Sequence, residues 1–438
     1  MVLLKLWGQK VKPGGTIPTN IYEVFMFRGL ITAMFSLAVA VSWAAEPTPV
    51  SLTPNGQVRV RMLHHQGADF AAGNTTNTLH QRTRFGLHTA VSEQIGLFLQ
   101  LQDVRVWGEE LDPLRDGNAE ALDMHQAYGI LRPTDRFEIR LGRQELHFLN
   151  QRILGEDDWF DSARSFDGLR LRYGRDSILF DVFYSHVSED VSTLGDLGTV
   201  NMEAIPNGTD QDLVGLWFQF KASPSLEFNM LKLADMDEII DHMRFTTGIL
   251  VRGDLGRGVD YSVEGYYQFG EREEGIRYNS YLAALELGML LPVIRHPRLA
   301  LFAEAVSGDD DLTDSTEKVF SAPYASSHRF YGLMDYFRDL PGDTAYLGLL
   351  DVGAKITWSP LSSLRLELVA HHFRSMVESA DGYNYFGSEL DFTTQYKLME
   401  HTWLELWYSG ILPGALLTNT RPGDGMEHRG GITFDMKL

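Results

Sequence analysis

Cysteine is absent from the 438 residues. That absence excludes a disulfide framework and a thiolate metal site, and it suits a chain threaded unfolded through an oxidising compartment. Long apolar runs are also missing. No segment beyond residue 45 holds the roughly twenty continuous apolar residues of a membrane helix. Such a chain can sit in a membrane only as a closed barrel, because hydrocarbon tolerates no unpaired strand edge. Positive charge is scarce, with 38 Lys and Arg against 59 Asp and Glu and a formal net charge of −21. This excludes a general nucleic-acid binder. The sequence has no Gly-x-Ser-x-Gly elbow, no His-Glu-x-x-His and no phosphate-cradling glycine loop, and its 14 histidines are scattered. No enzyme, cofactor or metal is expected.

The N-terminus has the layout of a secretory signal. Leu30–Val41 is apolar, Arg28 precedes it and Ser42-Trp43-Ala44-Ala45 follows it, and the stretch is too short to span a bilayer. Cleavage after Ala44 puts small Ser42 and Ala44 at the two positions a signal peptidase reads, so the mature chain is expected to start at Ala45. Met26-Phe27-Arg28 already makes a charged start, which leaves Met1 and Met26 both open as initiators. Residues 1–44 are therefore read as extension and signal, and residues 45–438 as one folded unit. Removing 1–44 takes away Lys5, Lys10, Lys12 and Arg28 against Glu23 and leaves a net charge of about −24.

Beyond the signal, segments of about eight to twelve residues alternate apolar and polar positions. Strands are predicted near 57–64, 81–90, 95–107, 122–132, 136–146, 166–174, 177–186, 212–222, 225–233, 244–252, 259–269, 279–290, 298–306, 346–358, 363–373, 389–398, 401–409 and 428–437. Short links at Ser92-Glu93, Pro133-Thr134, Gly174-Arg175, Ser223-Pro224, Asp254–Gly258 and Ser359–Ser362 alternate with long polar stretches. That alternation predicts an all-β fold, a single transmembrane antiparallel barrel of about 18 strands with long extracellular loops and short periplasmic turns. In the last strand Ile432, Phe434, Met436 and Leu438 share one face opposite Thr433, Asp435 and Lys437, the pattern that barrel assembly machinery recognises. Leu438 replaces the more usual terminal aromatic.

Charge parity assigns the faces. Arg59 and Arg61 oppose Val58, Val60 and Met62; Glu138 and Arg140 oppose Phe137, Ile139 and Leu141. Arg170 and Arg172 oppose Leu169, Leu171 and Tyr173, and Arg365 and Glu367 oppose Leu364, Leu366 and Leu368. An arginine facing lipid at mid-bilayer costs about 2–4 kcal/mol. Arg59, Arg61, Arg82, Arg84, Arg140, Arg170, Arg172 and Arg365 are therefore expected to face the lumen. Two readings follow from them. Arginine–carboxylate ladders brace a wide barrel without any ligand, and the same planar forks bind passing carboxylates or phosphates and select anions.

The excess acid lies mostly in the long stretches, at Glu109, Glu110, Asp112 and Asp116, at Glu156, Asp157, Asp158 and Asp161, at Asp235, Asp237, Glu238 and Asp241, at Glu271, Glu273 and Glu274, and at Asp309–Asp311 and Asp314. These are read as solvated loops, and the alternative is an acidic rim that binds divalent ions bridging the lipopolysaccharide leaflet, with Asp309–Asp311 as a Ca²⁺ candidate. Asp309–Asp311 lacks the Asp-x-Asp-x-Asp-Gly frame of a Ca²⁺ loop. His64-His65 and His371-His372 sit at strand ends, where girdle or rim roles are expected.

Three segments resemble the alginate-export family of outer-membrane barrels. Gly142–Tyr173 carries Gly-Arg-Gln, Gln-Arg with a nearby Gly, and Arg-Ser-Phe-Asp-Gly. His328–Phe337 (HRFYGLMDYF) is similar to the family's His-x-Phe-x-Gly-x-x-Asp-x-Phe segment, and Gly387–Phe392 (GSELDF) to its Gly-x-Glu-x-Asp element. The resemblance implies a conduit from periplasm to outside with an arginine-lined constriction passing an acidic polysaccharide, loops and turns acting as lids, and periplasmic export partners. It carries Arg143, Arg152, Arg164 and Asp167 into that constriction. The expected function is an outer-membrane channel for an alginate-like polysaccharide or small anions. A general solute porin and a plugged structural or adhesive barrel are the alternatives.

Overall fold

The computed structural model describes residues 50–67, 70, 75–109, 122–188, 210–237, 239–419, 423 and 425–438. The signal segment, the expected start at Ala45 and the acidic positions Glu110, Asp112, Asp116 and Glu238 lie outside the described residues. Eighteen strands follow one another around the wall. They are β1 (Ser51–Gln66), β2 (Thr75–Ala90), β3 (Ile95–Val106), β4 (Leu122–Thr134), β5 (Phe137–Gln144) and β6 (Phe166–Arg175). Next come β7 (Ile178–Ser188), β8 (Gln211–Ser223), β9 (Leu226–Asp237), β10 (His242–Gly256), β11 (Val259–Arg272) and β12 (Ile276–Leu290). The last six are β13 (Arg298–Val306), β14 (Leu349–Leu361), β15 (Leu364–Arg374), β16 (Tyr385–Met399), β17 (Thr402–Pro413) and β18 (Glu427–Lys437).

Each strand pairs antiparallel with the next. β1 then pairs with β18 from Gln57 opposite Lys437 to Gln66 opposite His428, which closes the sheet and removes its edges. A two-residue strand, Thr316–Glu317, lies in the loop between β13 and β14 and pairs parallel to β12.

The outer surface of this barrel is the inverse of a soluble protein's. Leu141 and Leu301 on the outer face are 65% and 62% exposed, while Arg82 and Asp181 on the inner face are 0%. That inversion assigns the outer face to lipid. Gly142 stands opposite Gly168 across β5 and β6. A Cβ at either position would lie 2.2 Å from the Ala127 carbonyl or 2.0 Å from that of Tyr184, closer than any side chain can pack.

The strands mostly follow the alternation, but several run further toward the long-loop rim than side-chain polarity suggests. β9 continues to Asp237 because β8 and β10 both pair with it there. Asp235 and Asp237 become buried inward residues and not loop acids.

The larger departure concerns two long loops, 145–165 between β5 and β6 and 307–348 between β13 and β14. Both fold into the barrel. Leu146, Phe148, Ile153 and Leu154 of the first, and Phe320, Tyr331, Met334, Phe337 and Leu340 of the second, form one apolar cluster with the wall residues Phe183, Leu213, Trp217, Tyr266 and Phe373. Each such side chain contributes roughly 1.5–3 kcal/mol by leaving water. The lumen therefore contains a packed plug.

Candidate functional site

Four of the lumen arginines converge on a single segment of the β5–β6 loop. Arg59 donates from Nη1 to the Asp158 carbonyl at 2.6 Å and from Nη2 to Asp161 Oδ1 at 2.9 Å. Arg61 donates to the Trp159 carbonyl at 2.6 Å and lies 4.0 Å over the Trp159 ring. Arg82 pairs with Asp158 Oδ1 at 2.7 Å and with Gln57 at 2.8 Å. Arg84 bonds Gln102 at 2.7 Å and Glu145 at 3.3 Å. All four guanidinium groups are buried. The acids 156–161, expected as solvated loop, are folded inward as counter-ions, because bare guanidinium groups could not be buried unpaired. Burial works to raise the Asp158 carboxyl, but Arg82, Arg59 and Arg84 outweigh it and hold the group below its ordinary range. Burial pushes the neighbouring Asp157 carboxyl up against the opposing pull of Arg164.

The two inserted loops are stapled to each other and to the far wall. Arg164 donates to the Tyr324 carbonyl at 2.6 Å and the Gly155 carbonyl at 3.1 Å. Trp159 stacks on His328 with centroids 3.5 Å apart. Arg152, carried on the β5–β6 loop, reaches across the lumen. It pairs with Glu304 of β13 at 2.6 and 2.8 Å and with Glu264 of β11 at 3.2 Å, and it lies 3.9 Å over Phe330. On β16, Glu389 accepts the Met334 amide at 2.8 Å and Asp391 the Leu333 amide at 3.1 Å, so the wall holds the tip of the second loop by its backbone.

Below the plug a cavity of about 930 Å³ runs from Arg152 and Phe330 to Ser223 and Pro224, which form one of the short turns. Its lining is mixed in charge. His371 stands in it, buried between Asp351 at 2.8 Å and Asp391 at 3.6 Å, and not at the rim as its position near a strand end suggests. Among the described residues no set of His, Asp or Glu is arranged to hold a metal ion. In the β13–β14 loop the Lys318 ammonium sits among Asp309, Asp310 and Asp314 and supplies their counter-charge.

The family model described as alginate export matches residues 50–431. The chain belongs to the alginate-export family. None of the curated proteins compared with the sequence matches it. Solved structures share the fold at low identity. OpdO of Pseudomonas aeruginosa superposes with a TM-score of 0.60 at 11% identity, covering 89% of this chain and 97% of that one. OccAB4 of Acinetobacter baumannii gives 0.59 at 11%, covering 90% and 99%. OpdF of Pseudomonas aeruginosa, in complex with glucuronate, gives 0.56 at 12%, covering 89% and 98%. This alginate-export family member is an outer-membrane channel protein.

The family's motif positions do not all come together in this alginate-export barrel. Arg152 and Arg164 hold the plug. Arg143 and Asp167 instead pair with each other at 3.1 Å, both half-exposed. Arg143 shares its parity with Leu141, and Asp167 with Leu169, so the pair lies on the outer face at the long-loop rim. That corrects their expected place in the constriction, and the reason is local: Gln144 and Phe166 take the inward positions. Of the other wall arginines Arg170 is buried, whereas the Arg365 side chain is 55% exposed. Arg140 pairs with Glu138 at 2.7 Å; Arg170 binds Asp181 through both oxygens at 2.7 and 2.8 Å, and Arg172 shares that carboxylate at 2.9 Å. Arg365 reaches Glu367 at 3.1 Å near a short turn. Strand alternation could not single out Trp159, His328, Arg329 or Asp181. The signals for the first three were the apolar and aromatic residues crowded into supposedly polar loops.

Proposed function

We propose that this barrel is a gated channel for anionic solutes, either a uronate-type acidic polysaccharide or small organic acids. The observation that carries this reading is the arginine clamp. Arg59, Arg61, Arg82 and Arg84 form a bank of guanidinium groups whose ligands are the carboxylates and carbonyls of Asp158–Asp161, the groups an acidic polymer would present. In the closed state the loop occupies that bank; in the open state the solute does. OpdF is recorded with glucuronate, and that acid is a fitting probe. The purified protein in a planar bilayer should pass current with anion preference, and deletion of 156–162 should raise the current. A cation-selective parent would overturn the anionic assignment.

The apolar plug favours a second reading. Loops packed around Phe148, Leu154 and Phe337 suit a permanently closed barrel with a structural or adhesive role. Absence of current both in the parent and in variants lacking either inserted loop would establish it. Cleavage after Ala44 is part of the same proposal, and N-terminal sequencing of the outer-membrane form checks it.

A further inference from the structure

The cavity at the short-turn end holds an arginine on a fixed backbone whose side chain has no partner among the described residues. Each of the cavity's acids has a basic side chain beside it, although Asp351 Oδ1 and Asp391 Oδ1 are buried without a hydrogen-bond partner. Glu227 meets Arg252 at 2.9 Å; Asp260 and Glu286 meet Arg298 at 2.5 and 2.7 Å; Glu264 and Glu304 meet Arg152. Asp351 and Asp391 flank His371, and Glu367 meets Arg365. Lys355 bonds Glu286 at 2.7 Å, and Lys221, at the exposed end of β8, makes no ion pair among the described residues. Arg329 also lines the cavity and is exposed. Among the described residues its side chain has no ion pair, hydrogen bond or ring contact.

The backbone that carries this free guanidinium is held on both sides. His328 before it is buried, stacks on Trp159 and bonds Asp335 at 2.6 Å. Phe330 after it lies under the Arg152 guanidinium. The Arg329 amide itself donates to the Ser326 carbonyl at 3.1 Å. A fixed base with an unpaired planar fork is preorganised for a carboxylate, since no internal bond has to break first. Arg152, Arg252 and Arg298 can bind a solute only by releasing an internal carboxylate into the same confined space.

We propose that Arg329 is the anion-receiving residue of this vestibule, taking one carboxylate of a sugar acid that arrives from the short-turn side. The rings of Tyr261 and Phe302 in the same lining offer apolar faces to the sugar's C–H groups. The inference deepens the channel reading and rests on it for the solute class.

The test is calorimetric titration of the full-length barrel in detergent with glucuronate. Affinity should fall roughly tenfold or more in Arg329→Gln, as expected for loss of a charge-assisted pair. Arg329→Lys should retain part of it, and Lys221→Gln should change it by less than about twofold. Heat-modifiability on unboiled gels checks that each variant is folded. Equal affinity in the parent and Arg329→Gln, an equal loss in Lys221→Gln, or no glucuronate binding by the parent would each overturn the proposal. Bilayer current judges the channel reading separately. A silent barrel with Arg329-dependent binding removes the channel and keeps the site, and an anion current with Arg329-independent binding does the reverse.

Discussion

Trp159 and His328 lie face to face, ring centroids 3.5 Å apart and planes within 8° of parallel, although one belongs to the β5–β6 loop and the other to the β13–β14 loop. Arg61 covers the opposite face of the tryptophan at 4.0 Å, so the ring is clamped between a wall cation and the second loop. Replacing Trp159 with Ala removes both contacts. Such stacked pairs contribute about 0.5–1.5 kcal/mol beyond burial, and cation–π contacts a similar amount. The expected outcome is a looser plug in an intact barrel. Single-channel recording should show larger or more frequent openings, with unchanged gel mobility of the unboiled protein.

Asp158 makes the plug sensitive to acid. Its carboxyl is held below the ordinary range by Arg82, Arg59 and Arg84. Its contribution is fully present above the unfolded value near pH ~3.9 and is lost as pH falls through the lowered folded value. Current should therefore rise below about pH 4, and Asp158→Ala should raise it already at pH 7 and flatten that step. Leaving buried Arg82 without its partner costs on the order of 3–5 kcal/mol. A variant whose conductance and pH profile match the parent's would show that the pair does not hold the loop.

Gly332 pins the tip of the second loop. It sits at φ +87°, directly after Tyr331 at φ +61°, and a Cβ there would lie 2.3 Å from a Glu389 carboxylate oxygen. Gly332→Ala should strain the backbone by about 1–2 kcal/mol and push Glu389 off the Met334 amide. Increased protease sensitivity of the 327–345 segment, with the strands still protected, is the readout.

The outer-wall pair separates two sets of arginines that look alike in sequence. Arg140→Glu with Arg170→Glu should weaken or reverse anion preference, measured as a reversal potential in a salt gradient, because both side chains face the lumen. Arg143→Glu should leave it unchanged, because that side chain faces away beside Asp167. An equal shift in Arg143→Glu would place Arg143 back in the conduction path.

Closure depends on the last strand. Ile432 and Phe434 on the outer face of β18, and Leu438 just beyond its end, are exposed, and the strand pairs with both β17 and β1. Replacing the three with Ser should abolish outer-membrane accumulation, scored by fractionation and heat-modifiability. Normal levels would show that the lipid-facing row is dispensable for assembly.

The strand plan was legible because its causes are local. Period-two alternation, Gly and Pro at the short links, and the cost of arginine in lipid each act within a few residues. They suffice for eighteen strands, for the wall positions at which Arg59, Arg82 and Arg170 are buried, and for closure through the strand that carries Ile432 and Phe434. Strand ends were less legible. The extension of β9 to Asp237 is decided by backbone partners on β8 and β10, which leave no mark on the side chains of β9 itself.

What the sequence by itself determined is the barrel and the sidedness of its wall, because lipid imposes one rule on every strand independently. Which arginines are spoken for was decided only by the tertiary structure. Arg59 meets Asp161 from 102 positions away, and Arg152 meets Glu304 from 152. Nothing in a loop's spacing records such a pairing. The loops fold inward because Phe148, Leu154 and Phe337 gain more by packing inside the lumen than by facing water, and their acids follow to neutralise the wall. Among the described residues Arg329 has no such partner, and the carboxylates of its cavity stand instead beside Arg152, Arg252, Arg298, Lys355 and His371.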